Sequence, residues 1–121
     1  MLIGPDREQA GRLSPKYDAQ FRKWRSNLPD AALADIEARI SDYCAKNDHA
    51  AVRYFAAGEW TGTPWEPLLT ACAGNAEDAA KFLGQLLWRH LAECGEKWWF
   101  YRRTSLDDEP VGMEYHKDRA R

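Results

Sequence analysis

Cysteine is scarce in this chain of 121 residues, which contains three. The three lie far apart, and no C-x-x-C pair is present. Disulfide frameworks use an even number of cysteines and zinc knuckles use closely spaced pairs, so the sequence fits neither class. It predicts reduced, buried thiols at Cys44, Cys72 and Cys94.

Long apolar runs are also missing, since no run exceeds four residues. A helix that spans a bilayer needs about 20 such residues, so we expect no membrane association. The N-terminal segment, MLIGPDRE, contains the acidic residues Asp6 and Glu8 and lacks the apolar core of a secretory signal. A cytoplasmic location is the resulting expectation.

Neither sign of charge is in large excess, because 17 basic and 19 acidic residues give a formal net charge of −2. No segment is basic enough to hold nucleic acid by charge alone. The chain also lacks the motifs G-x-S-x-G, G-x-x-x-x-G-K-[ST] and G-x-G-x-x-G, which serve nucleophilic catalysis and nucleotide binding. We therefore expect a protein that is not an enzyme and needs no cofactor.

One pair of residues has the spacing of metal ligands. His90 and Cys94 lie four residues apart, which places them on one face of a predicted helix. Both also fall within the apolar stripe of Leu83, Leu87 and Leu91, where a thiol and a hydrogen-bonded imidazole serve as ordinary core. The sequence therefore predicts no metal site.

Helical periodicity dominates the chain as far as Gly95. Apolar residues at three-and-four spacing, together with capping residues, predict up to five helical segments. They run from Pro15 to Leu28, from a cap at Asn27 or Asp30 to about Asn47, from Asp48 to Phe55, from a capping box at Thr63 to Gly74, and from an Asn75 cap to Cys94. Residues 1–13 lack periodicity and predict an arm that is flexible unless a neighbour ties it down. Residues 14–121 predict a single compact domain.

After Gly95 the pattern changes to that of β-strands. The segment 98–104 is aromatic, 105–110 is rich in turn formers, and 111–117 alternates with period two. These segments predict a β-hairpin. The expected fold is a predominantly helical α+β domain of four to five helices closed by a C-terminal β-hairpin.

Tryptophan is the abundant residue, with six copies. Trp88 lies on the last predicted helix, opposite its apolar stripe, so another group has to cover it. The candidates are the hairpin, the loop that carries Trp60 and Trp65, and a partner protein.

Consecutive residues of a strand point to opposite faces, so only one of Trp98 and Trp99 can enter the core. If Trp98 enters it, the other face holds Trp99, Tyr101 and Arg103. This aromatic and basic strip is either a binding surface or the second side of a doubly covered strand.

We interpret the chain as a small, non-enzymatic protein-interaction module of the adaptor or inhibitor type. The partner is another protein, and a homodimer that hides the Trp99 face is the alternative. The acidic hairpin tip would meet a basic partner. The candidate contacts are Trp88, Trp99, Tyr101, Arg103, Asp107, Asp108 and Glu109.

A winged-helix nucleic-acid-binding protein is the second interpretation, since a short helix, a tight turn, a long helix and a hairpin follow one another. The acids Glu77 and Asp78 disfavour it, because they occupy the turn that would meet the phosphates. Its candidate contacts are Gln85, Arg89, Arg102 and Arg103.

Overall fold

Four α-helices and five β-strands make up the part of the chain that the computed structural model describes, which is residues 1–4, 9–10, 15–56, 58–104 and 110–118. The helices are α1 (Pro15–Ser26), α2 (Asp30–Lys46), α3 (Glu66–Ala71) and α4 (Ala76–Glu93). The strands are β1 (Leu2–Ile3), β2 (Gln9–Ala10), β3 (His49–Ala50), β4 (Trp98–Thr104) and β5 (Pro110–Lys117). The predicted α+β class with a C-terminal hairpin is confirmed.

Helix α4 lies at the centre of the core. It begins where predicted, because Gly74 takes the positive φ of +81° that ends the preceding segment. The side chain of Asn75 then accepts a hydrogen bond of 3.1 Å from the Asp78 amide. Its buried residues are Ala79, Phe82, Leu83, Gln85, Leu86, Leu87 and Leu91.

Helices α1 and α2 both pack against α4. On α1, the rings of Phe21 and Trp24 each lie 5.7 Å from the ring of Phe82. On α2, Ile36 and Ile40 are fully buried in the same cluster. Both helices occupy the segments predicted from apolar spacing.

The sheet has the strand order β2-β1-β4-β5-β3. Strands β4 and β5 form the predicted antiparallel hairpin, and β1 runs parallel to β4 on its other side. Leu2 pairs with Trp98 and Ile3 with Trp99. The sheet therefore joins both ends of the described chain.

The first four residues are held by their neighbours in the sheet. Leu2 is fully buried, and the Met1 carbonyl accepts a 2.8 Å hydrogen bond from the Trp98 amide. Strand β4 therefore holds residues 1–4 in place. The predicted arm was expected to be flexible only if no neighbour held it, and β4 is such a neighbour for these four residues. The remainder of the predicted arm lies largely outside the described residues.

The helix predicted after Asp48 is wrong. His49 and Ala50 instead form β3 against β5, and residues 52–54 form a single 3₁₀ turn. The spacing of apolar residues cannot predict strand β3, because its hydrogen-bonding partner, β5, lies far away in the sequence.

The capping box predicted at Thr63 does not form at the start of a helix. Helix α3 begins only at Glu66, the Thr63 hydroxyl accepts from the Trp65 amide, and the Glu66 carboxylate accepts from the Gly62 amide. The same residue types therefore stabilise the turn that leads into α3, rather than its first helical residues.

Replacement of Leu87 by alanine tests the central position of α4. Leu87 is fully buried, so Leu87→Ala is expected to lower the free energy of unfolding by about 3 kcal/mol. Lys81 lies exposed on the same helix, and Lys81→Ala is expected to change it by less than about 0.5 kcal/mol. Urea titrations measure both, and equal midpoints for the two variants would contradict the central role of α4.

The cysteines provide a second test. Burial is the main cause that raises the pKa of Cys44 to about 12 and that of Cys72 to about 11. Both therefore remain protonated at pH 8, and the thiolate is the reactive form. In the native protein, a thiol reagent is expected to modify Cys94 first, since it is the half-buried member of the three.

The matched control for that experiment is Cys94→Ser, which is expected to remove the rapid phase in native protein while leaving the slow phases. All thiols should react quickly in denaturant. Rapid native reaction of Cys44 or Cys72 would contradict their placement in the core.

Candidate functional site

The two faces of the sheet differ in what covers them. The inner face carries Leu2, Trp98, Tyr115 and Ala50, whose side chains are at most 3% exposed. Because the pleat alternates, the residues between them point to the opposite, outer face. The outer face is therefore where the sheet can meet another molecule.

Four residues form a row across the outer face. The strand register places Ile3 beside Trp99, Trp99 beside His116, and His116 beside His49. Exposure rises along this outer row, since Ile3 is buried, Trp99 and His116 are half-buried, and His49 is exposed. As predicted, only one of the two adjacent tryptophans enters the core, and the structure shows that it is Trp98.

A polar rim adjoins Trp99. The Lys97 ammonium lies 5.4 Å from the centre of the Trp99 ring, a cation–π distance. It also lies 3.4 Å from the Asp118 carboxylate. Trp99 therefore combines an apolar ring with charged groups of both signs at its edge.

An ion pair between a buried carboxylate and an exposed guanidinium follows along the same face. Glu114 lies two residues before His116 on β5, and its side chain is 8% exposed. Its carboxylate accepts from the Arg53 guanidinium, which also lies 4.8 Å from the Tyr54 ring. A buried carboxylate needs such a partner, so this pair fixes the segment after β3 against β5.

Four of the six tryptophans are sealed inside the protomer. Trp24, Trp60, Trp65 and Trp98 are each at most 8% exposed. Trp88 and Trp99 are half-buried. These two are the tryptophans that the sequence pattern singled out.

The structure does not bring Trp88 and Trp99 together. The Trp88 ring lies 4.7 Å from the ring of Phe100, whose neighbour across the hairpin is the buried Tyr115. Phe100 points to the inner face because it follows Trp99 on the strand. The hairpin is therefore the group that packs against Trp88, which was one of the alternatives.

The structure does not describe the side chains of the other predicted contacts. Tyr101 and Arg103 occupy alternate positions of β4 from Trp99, and their side chains lie outside the described part of the structure. The acidic tip, Asp107, Asp108 and Glu109, is also outside the described residues.

Two of the predicted nucleic-acid contacts, Gln85 and Arg89, lie beside α1. Gln85 is 7% exposed, and its amide donates a 2.9 Å hydrogen bond to the Gln20 side chain on α1. The Arg89 guanidinium lies 4.4 Å from the centre of the Phe21 ring, also on α1. Gln85 is therefore buried against α1, whereas Arg89 remains exposed, and the side chains of Arg102 and Arg103 are not described.

Sequence reasoning missed one concave surface. A cavity of about 370 Å³ lies between the C-terminal half of α2 and the segments that follow β3, and its lining includes Tyr43, Tyr54, Phe55 and Trp65. The Phe55 ring lies 4.7 Å from Tyr43 and 5.3 Å from Trp65. Tyr43 belongs to the predicted apolar stripe of α2, but no local signal connects it to the other rings.

The residues that the structure describes contain no group of three or more His, Cys, Asp or Glu side chains able to hold a metal ion. Burial lowers the pKa of His90, which favours its neutral form. The Cys94 thiol lies 3.4 Å from the carbonyl oxygens of Leu91 and Glu96, so this thiol also has backbone partners.

No protein-family model, no curated protein and no solved structure matches this chain. Among the described helices, none combines the length and apolarity needed to cross a bilayer. Function is therefore argued from the site alone.

The exposure of Trp99 can be tested by fluorescence quenching with iodide, which does not enter the core. Trp99→Phe is expected to reduce the slope of the quenching plot, because a partly exposed indole is removed. Trp60→Phe removes a buried indole and is expected to leave the quenched component unchanged. An equal effect of both substitutions would show that Trp99 is not the more accessible ring.

Proposed function

We propose that this chain is a small, non-enzymatic protein-interaction module of the adaptor or inhibitor type, which binds another protein through the outer face around Trp99. The observation that carries the proposal is the contrast between two adjacent residues. Trp98 is fully buried, whereas Trp99 is only half-buried in the outer row. Partly accessible tryptophans are frequent anchors of protein interfaces.

The rim around Trp99 supports this proposal. Interfaces combine a central apolar anchor with polar groups at the edge. Lys97 and Asp118 supply such groups, and the Lys97 side chain is 41% exposed. A partner that covers the ring could therefore pair with charges of either sign at its border.

The rigidity of the surface is a further argument. Trp99 lies on β4, which pairs with β1 on one side and with β5 on the other, so its backbone position is fixed within the sheet. A residue held in this way loses little conformational freedom on binding, which favours affinity. Tyr101 and Arg103 extend the proposed contact along β4, and the acidic tip remains a predicted contact for a basic partner. Trp88 lies outside this surface, because it packs on Phe100 of the inner face.

A comparison of Trp99→Ala with Tyr17→Ala tests the proposal. Tyr17 is a matched control, since it is a 50% exposed aromatic residue that belongs to α1 and not to the sheet. Proteins captured on the wild-type chain from an extract of its source cells are identified, and the affinity of each purified candidate is then measured. Trp99→Ala is expected to weaken binding by about tenfold or more, as loss of an interface anchor does. Tyr17→Ala should leave the affinity unchanged.

The mass of the purified chain in solution is measured first, because a homodimer would use the same face. A dimer that Trp99→Ala dissociates would identify the partner as a second copy of the chain. Retention of every captured protein by Trp99→Ala would overturn the proposed surface. Capture of nucleic acid that is lost as salt rises would favour the winged-helix interpretation instead.

A further inference from the structure

Two histidines face each other at the exposed end of the outer row. His49 of β3 and His116 of β5 are direct cross-strand partners, and their ring centres lie 6.3 Å apart with planes inclined at 38°. The two residues come from distant parts of the chain, and the sheet register alone brings them together.

The backbone beneath this pair is fixed. The next cross-strand pair, Ala50 and Tyr115, is sealed in the core with at most 3% exposure. On the other side, the Lys117 amide donates a 2.7 Å hydrogen bond to the Asp48 carbonyl. Both Cα positions are therefore held in place, while the exposed His49 ring can still turn about its side-chain torsions. Such preorganisation favours ligand binding by the two rings.

We propose that His49 and His116 form a binding site for a divalent transition-metal ion of the Zn²⁺, Ni²⁺ and Cu²⁺ class. An imidazole nitrogen binds zinc at about 2.0–2.1 Å, which puts each ring centre about 3 Å from the metal. In tetrahedral coordination, two rings that share one ion therefore have centres about 5 Å apart. The rings are 6.3 Å apart without metal, so the exposed His49 ring has to turn about its side-chain torsions to bring the two centres about 1 Å closer. Each imidazole displaces one water from the hydrated ion, and water fills the remaining positions.

The ligand type selects the class of metal. Imidazole nitrogen suits zinc, nickel and copper, whereas magnesium and calcium prefer oxygen ligands. This pair is distinct from His90 and Cys94, the pair with ligand spacing in the sequence. The site goes beyond the proposed interaction function and does not depend on it.

Calorimetric titration of the tag-free protein with Zn²⁺ tests the site. The wild-type chain is expected to bind one ion. His49→Gln and His116→Gln are each expected to weaken binding by at least about tenfold, comparable to the loss of an outer-shell partner in other metal sites. The double variant should show no binding heat. The chain has three histidines, so His90→Gln is the matched control and should bind as the wild type does.

Fluorescence locates the ion independently. Trp99 lies one strand from His116, a spacing of about 4.8 Å between backbones. Bound Cu²⁺ is therefore expected to quench Trp99, and Trp99→Phe should lose this quenching while it keeps the calorimetric binding.

Circular dichroism and thermal unfolding of each variant exclude loss of the fold as the cause of lost binding. Unchanged Zn²⁺ affinity in the double variant, or loss of binding in His90→Gln or Cys94→Ser, would overturn the site. Either result would leave the interaction surface around Trp99 unaffected, because the partner-binding assay contains no added metal.

Discussion

Burial of Trp98 is the constraint on which the outer surface depends. Its ring is fully buried in the cluster that contains Phe82 and Leu87 of α4. Once Trp98 occupies that position, the pleat of β4 directs Trp99 to the opposite face. The same alternation places His116 beside Trp99 and His49 beside His116 through the strand register. The burial of Trp98 in the core therefore determines which side chains of these strands lie on the outer face.

The interior accommodates most of the aromatic side chains. Four tryptophans are sealed, and Trp88 packs against Phe100 on the inner side of the hairpin. Among the described residues of the outer face, Trp99 is the tryptophan that remains partly exposed. The proposed interaction surface therefore contains one of the two candidate tryptophans, Trp99, and lies on one face of the sheet.

Two features of the outer face serve different chemistry. Trp99 with Lys97 offers a broad amphipathic contact of the kind that suits a protein partner. The histidine pair offers nitrogen donors near the spacing of a metal site. Both depend on two-residue strands, β1 and β3, that extend the hairpin on either side. The hairpin alone would hold Trp99 and His116 but not His49.

The sequence by itself determined α1, α2, α4 and the hairpin, because their signals are local. Helical spacing, the Asn75 cap and period-two alternation all act between residues close in the chain. It also determined that Trp98 and Trp99 point to opposite faces. Only the tertiary structure decided that Leu2–Ile3 and His49–Ala50 are strands, since two residues carry no periodicity and their hydrogen bonds reach distant partners. The pairing of His49 with His116 also depends on the tertiary structure, because the two residues lie far apart in the sequence.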